Sequence, residues 1–174
     1  MHTRVRRIGI VAFAVMACLV TWPITMGTAQ DTATPAATPD VPAVVVVRDV
    51  LSSAEPESAP GEVLALVEYT IPAGAVLIVH THPGVQMATV DSGELTYHVI
   101  ENGSAPVIRA DGTEEIIGPG ESTTFEVGDS FVEPEGMVHY GENLTDEPVV
   151  LMVASLFAAD EPAAIPFDVA TPAA

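Results

Sequence analysis

Apolar residues in this chain come in short runs and almost nowhere at helical spacing. Apolar or alternating runs occupy 43–47, 63–71, 75–80, 86–91, 94–100, 106–109, 114–117, 122–127, 130–133 and 148–157. Alternation is the period of a half-buried strand, and a short β-branched run such as Ala75 to Val79 suits a strand buried in a sheet. Turn residues separate the runs: "APG" at 59–61, "PAG" at 72–74, "DSG" at 91–93, "ENG" at 101–103, "DG" at 111–112, "GPG" at 118–120, "GD" at 128–129 and "PEG" at 134–136. Many short strands punctuated by Gly and Pro predict an all-β fold, an antiparallel sandwich or barrel. With 174 residues, the chain has room for one such domain and a sizeable core, not for two.

The ends read differently. Arg4, Arg6 and Arg7 precede an apolar stretch from Ile8 to about Val20, and Gly27 and Ala29 are small residues at cleavage-site spacing. This is the plan of an export signal, residues 1–29. The apolar run is short for a membrane span and Pro23 interrupts its extension, although an uncleaved leader would leave the protein membrane-anchored. "VMAC" at 15–18 weakly resembles a lipoprotein cleavage box, but the apolar "LVTW" that follows it does not fit one. Residues 30–42, "QDTATPAATPDVP", form an extended Thr/Ala/Pro linker, and "TPAA" recurs at 171–174. The expected organisation is leader 1–29, linker 30–42, one barrel domain 43–158 and an Ala/Pro-rich tail 159–174. The expected location is outside the cytoplasm: extracellular, periplasmic or cell-envelope.

Loss of the leader changes the charge. The mature chain keeps two arginines, Arg48 and Arg109, against 24 acidic residues, a net charge of −22. Such a surface repels nucleic acid and anionic lipid, so neither is an expected partner beyond the leader's own membrane contact. The single Cys18 leaves with the leader, which excludes a thiol nucleophile, a disulfide framework and a Cys-ligated zinc site.

The candidate chemistry begins where the run 75–80 ends. His80 and His82 are two apart and share a face in a strand. Pro83-Gly84 then bends the chain, and Gln86 opens the next run close enough to project beside the two histidines. His139 lies far along, in "EPEGMVHYGEN". One buried histidine is usually a hydrogen-bonded core residue, and an i, i+2 pair is ambiguous. Three imidazoles and an amide oxygen converging in a barrel would suit a divalent ion, and spacing alone does not establish that they converge.

Residues 74–93 read Gly74, His80-Thr81-His82, Gln86 and Gly93. This resembles the first cupin motif, whose order at those spacings is Gly, His-x-His, Glu, Gly. Residues 128–143 read Gly128, Pro134, Gly136, His139 and Asn143, which resembles the second cupin motif at every fixed position. The two segments cover about a fifth of the chain, and flanking strands and turns extend the likeness over most of 62–157. The resemblance implies a cupin double-stranded β-helix, a small jelly-roll barrel. It also implies one divalent metal ion (Fe, Mn, Ni or Zn) held by His80, His82, the residue at 86 and His139, with the glycines and Pro134 in turns.

Gln86 departs from the motif, since an amide brings no charge where a carboxylate brings one. A ligating Gln86 would leave a more Lewis-acidic ion, and a non-ligating Gln86 would leave open positions. Of Tyr97 and His98, one is expected to line the cavity and the other to lie at the surface. Glu133 is expected to be a solvated turn residue, Tyr140 a packing residue and Asn143 structural. The resemblance covers diverse chemistry, so two functions stand: an exported metal-dependent enzyme on a small oxygenated compound (dioxygenase or isomerase/lyase), or a non-catalytic module that binds a small ligand or a metal. "VPAVVVV" at 41–47 could form an edge strand that pairs two copies into a homodimer, or could simply cover its own barrel.

Overall fold

A computed structural model describes residues 45–169, and these form twelve strands and no helix. In chain order they are β1 (Val47–Ala54), β2 (Glu62–Ile71), β3 (His80–Thr81), β4 (Gly84–Ser92), β5 (Leu95–Glu101), β6 (Ala105–Ile108), β7 (Glu114–Ile117), β8 (Ser122–Phe125), β9 (Ser130–Glu133), β10 (Val138–Glu142), β11 (Val149–Ala158) and β12 (Ile165–Pro166). They build a seven-stranded sheet, β1-β2-β11-β4-β9-β6-β7, and a five-stranded sheet, β12-β3-β10-β5-β8. Every strand pair is antiparallel. The architecture is the expected all-β jelly roll. The expected leader and linker lie outside the described residues.

Alternation decides which side chains enter the barrel. On β11, Val149, Leu151, Val153, Ser155 and Phe157 are buried while their neighbours are only partly so. Register then lines up rows across the large sheet's inner face. One row runs Val67, Val153, Ala88, Phe131, Val107 and is wholly apolar. The adjacent row runs Ala65, Ser155, Gln86, Glu133 and is largely polar. Tyr97, Leu95 and Val99 of β5 complete the core from the small sheet.

Several boundaries differ from the sequence reading. The run 75–80 is not a buried strand: Val76 and Ile78 are 64% and 60% exposed. Between Ala75 and Val79 only Ala75 is buried, and the segment meets β10 through one bridge, Val76 to Glu142, before a short strand begins at the buried His80. An uninterrupted apolar run hides which of its positions face inward. β1 begins at Val47, where the expected run 43–47 ends (43 and 44 lie outside the described residues), and runs to Ala54 as an edge strand with all eight residues exposed, so burial left no pattern in its sequence. β10 was not expected as a strand because "VHYGE" is mostly polar. The barrel also continues past 158. Ile165–Pro166, inside the expected tail, pairs with β3, a two-residue contact too short to show periodicity.

The bend after His82 carries the chain from the small sheet to the large one. Gly84 sits there at φ 152°, and a Cβ would lie 2.1 Å from the Leu156 carbonyl oxygen, so only glycine lets β4 close on β11.

Candidate metal centre

Both sheets contribute to one polar cluster inside the barrel. His80 on β3 pairs in register with His139 on β10. His82 follows β3 and stacks on Phe157, with ring centroids 5.3 Å apart. All three histidines are buried. One potential ligand atom from each falls within 4.8 Å of the others. The expected convergence of His80, His82 and His139 is therefore present.

Backbone carbonyls set the chemistry of these rings. His80 Nδ1 faces the Ile78 carbonyl at 2.7 Å, His82 Nδ1 faces Ala163 at 2.6 Å, and His139 Nδ1 faces Met137 at 3.0 Å. A neutral imidazole has one N–H, and a carbonyl can only accept, so that hydrogen sits on Nδ1. In its neutral form each ring therefore offers an Nε2 lone pair to the interior. Burial and the neighbouring His139 lower the His80 pKa to about 4, which keeps that ring neutral. Neutral imidazoles with backbone-anchored far nitrogens are the donors a divalent ion takes, and opposite ligands of one ion stand about 4 Å apart. The histidines fit a metal.

Gln86 lies beside them, as its spacing suggested. Its amide nitrogen, not its oxygen, faces the cluster, donating to His82 Nε2 at 3.0 Å and to Glu133 Oε2. Gln86 Oε1 is buried without a partner.

Glu133 corrects the sequence reading. It is 4% exposed and stands at the centre of the cluster, not in a solvated turn. Its Oε1 is 3.1 Å from His139 Nε2 and its Oε2 is 3.1 Å from His82 Nε2. Tyr97 donates its hydroxyl to Oε1 at 2.8 Å. Burial alone would raise the Glu133 carboxyl. With the facing rings protonated at Nε2, their charge and hydrogen bonds outweigh burial and hold it well below the usual carboxylate range, and the same pairing raises the His139 pKa against burial. A usable signal was present: Glu133 is two residues after Phe131, so period-2 alternation puts both on the inner face. The adjacent Pro134 obscured it by marking a turn.

Of the remaining candidates, Tyr97 lines the cavity and His98 does not. His98 stacks on Tyr140, with centroids 4.3 Å apart, which gives Tyr140 its packing role. Asn143 is structural: fully buried, it donates to the carbonyls of Ile71, Pro72 and Glu147 and accepts from Thr145. The cavity over the cluster measures about 70 Å³, and Ile71, Leu77, Leu95, Leu151 and Val153 give it apolar walls.

Comparison with known proteins places the site in a family. The Cupin domain family model matches residues 67–155, half of the chain, and spans both motif segments. Among solved structures, the chain resembles a double-stranded β-helix protein from Klebsiella pneumoniae at 20% identity, covering 71% of this chain and 85% of that one, with TM-score 0.42. It resembles oxalate decarboxylase from Bacillus subtilis at 26% identity, covering 60% of this chain and 23% of that one, with TM-score 0.42. The oxalate decarboxylase of Lactobacillus farciminis, solved as a formate complex, is 19% identical, with 60% and 26% covered and TM-score 0.44. The chain thus spans about a quarter of the length of either decarboxylase. No curated protein matches the sequence. Two histidine-bearing segments meet in one barrel interior and the family model covers both, so the chain belongs to the cupin domain family.

Proposed function

We propose that this cupin is an exported protein that holds one divalent ion on His80, His82 and His139, and that it acts as an enzyme on a small oxygenated organic compound. The observation that carries the reading is the histidine triad: three buried imidazoles, each pinned at Nδ1 by a backbone carbonyl, with ligand atoms within 4.8 Å of one another. When bound, the ion would supply Lewis-acid or oxygen-dependent chemistry, the basis of isomerase/lyase or dioxygenase activity. The apolar walls exclude water, the carbonyl anchors orient the rings, and Tyr97 brings a hydroxyl donor into the same cavity. The leader segment supports export. The exposed edge strand β1, which no strand covers on its outer side among the described residues, supports self-association as a homodimer.

A second reading, a non-catalytic binding module, is favoured by one observation. A cavity of about 70 Å³ leaves little space beside an ion. Elemental analysis of the full chain tests the metal, with a His80→Ala/His139→Ala variant alongside. The expected result is close to one equivalent of Fe, Mn, Ni or Zn, absent from the variant. Turnover of small hydroxy acids, keto acids and diols by the loaded protein then separates the readings. Metal retained without turnover of any of them would favour the module.

A further inference from the structure

We infer that Glu133, from β9, is the acidic ligand of the metal centre, and that Gln86 positions it. The inference rests on the metal reading above and adds which side chain brings negative charge to the ion.

Gln86 stands where the first motif usually carries its glutamate, so β4 brings no carboxylate. The register shows where one is found instead. Gln86 and Glu133 are direct partners across β4 and β9, both buried on the same inner face. The carboxylate has moved one strand sideways at the same height in the barrel. From there its two oxygens reach two different histidines, at 3.1 Å each.

Hydrogen-bond chemistry makes that contact specific. His82 and His139 have their N–H groups committed to Ala163 and Met137. Their Nε2 lone pairs therefore face carboxylate oxygens, acceptor against acceptor. Such a contact is repulsive unless a positive charge stands between. A divalent ion bound by all of these groups supplies it, and a proton is the alternative.

The donors around Glu133 complete the pattern. Tyr97 bonds Oε1 and the Gln86 amide bonds Oε2, the kind of outer contact that orients a carboxylate ligand. Turning the Gln86 amide over to offer its oxygen to the ion would set that oxygen against Glu133 Oε2. The amide therefore serves better as a holder than as a ligand. One carboxylate leaves a divalent centre with net charge +1, where three imidazoles and an amide would leave +2.

The test is binding of Mn(II) alone to the full chain by equilibrium dialysis, with Mn(II) electron paramagnetic resonance on the same samples. Glu133→Gln should weaken binding about 100-fold or more and change the Mn(II) spectrum, while Gln86→Leu should weaken it only about 10-fold. The exchange variant Gln86→Glu/Glu133→Gln, which returns the carboxylate to β4, should recover most of the affinity. It also guards against misreading a fold defect in the single variant. A crystal structure of wild type soaked in Mn(II) gives an independent reading, with Glu133 oxygen bonded to the ion expected. Wild-type binding that survives Glu133→Gln within about threefold, or a soaked crystal with Gln86 oxygen on the ion, overturns the inference and leaves the metal reading intact. Failure of wild type to bind Mn(II), with Co(II) and Fe(II) giving the same result, overturns both and leaves the proton as the charge between Glu133 and the histidines.

Discussion

Two buried polar residues outside the metal cluster show how single side chains hold this barrel together. Asn143 ties three carbonyls on the β2–loop and β10–β11 connections. Asn143→Ala would strand all three in a dry site, and we expect a loss of about 2–4 kcal/mol in urea unfolding, with metal stoichiometry unchanged. Asp129 accepts from the Ala110 and Glu126 backbone N–H groups and from Arg109. Burial raises its pKa, but those donors outweigh burial and the net shift is downward. A carboxylate depressed in the folded state stabilises above its ordinary value near 4 and loses that contribution as pH falls through the folded pKa. Wild-type stability should therefore drop as pH is taken from about 5 towards 2. Asp129→Asn should be less stable at pH 7 and show a flatter acid limb in denaturant midpoints read across that range. Arg109, one of two arginines after residue 29, also reaches Glu115, Thr123 and the Thr124 carbonyl, so it clamps three segments at once.

At the scale of elements, the site depends on places where strands end. His82 lies just past β3, at the bend between sheets, and its tautomer is set by Ala163 from the C-terminal segment. Removing everything after Asp160 deletes β12 and that carbonyl. We expect the truncated chain to fold and to bind Mn(II) about tenfold more weakly, measured by the same dialysis. Gly84→Ala pushes a Cβ into the Leu156 carbonyl, 2.1 Å away, and should lower thermal stability sharply because β4 cannot separate from β11 without opening the large sheet. Element prediction from the chain succeeded where one face is buried. β2, β4, β5, β9 and β11 match their runs closely, since a buried face imposes period-2 alternation. It failed for β1, which has no buried face, and for β10, whose cavity-facing residues are His139 and Gly141 and not large apolar side chains.

Over the whole molecule, metal and fold should be coupled. An ion that binds only the folded state stabilises it by about 2.7 kcal/mol at a free concentration 100 times its dissociation constant. For a barrel of this size that is roughly 10 °C in Tm, so a chelator should lower the melting temperature of the loaded protein and leave the His80→Ala/His139→Ala variant unaffected. Self-association belongs to this scale too. Sedimentation equilibrium is expected to show a dimer, and Leu51→Lys, which places a charge on the exposed edge strand, should shift it to monomer. Persistence of the dimer in that variant would place the contact elsewhere.

The chain by itself determined the fold class and three of the cluster's residues. Alternation and Gly/Pro punctuation are local, and an i, i+2 histidine pair beside a distant third at family spacing needs no coordinates to be noticed. Tertiary structure decided the rest. Which carboxylate meets the histidines depends on register between β4 and β9, 47 residues apart in sequence at Gln86 and Glu133, and no local pattern encodes a cross-strand partner. The anchoring of His82 by a carbonyl 81 residues downstream is likewise invisible in sequence, because every residue has a carbonyl and only the fold selects the one that arrives.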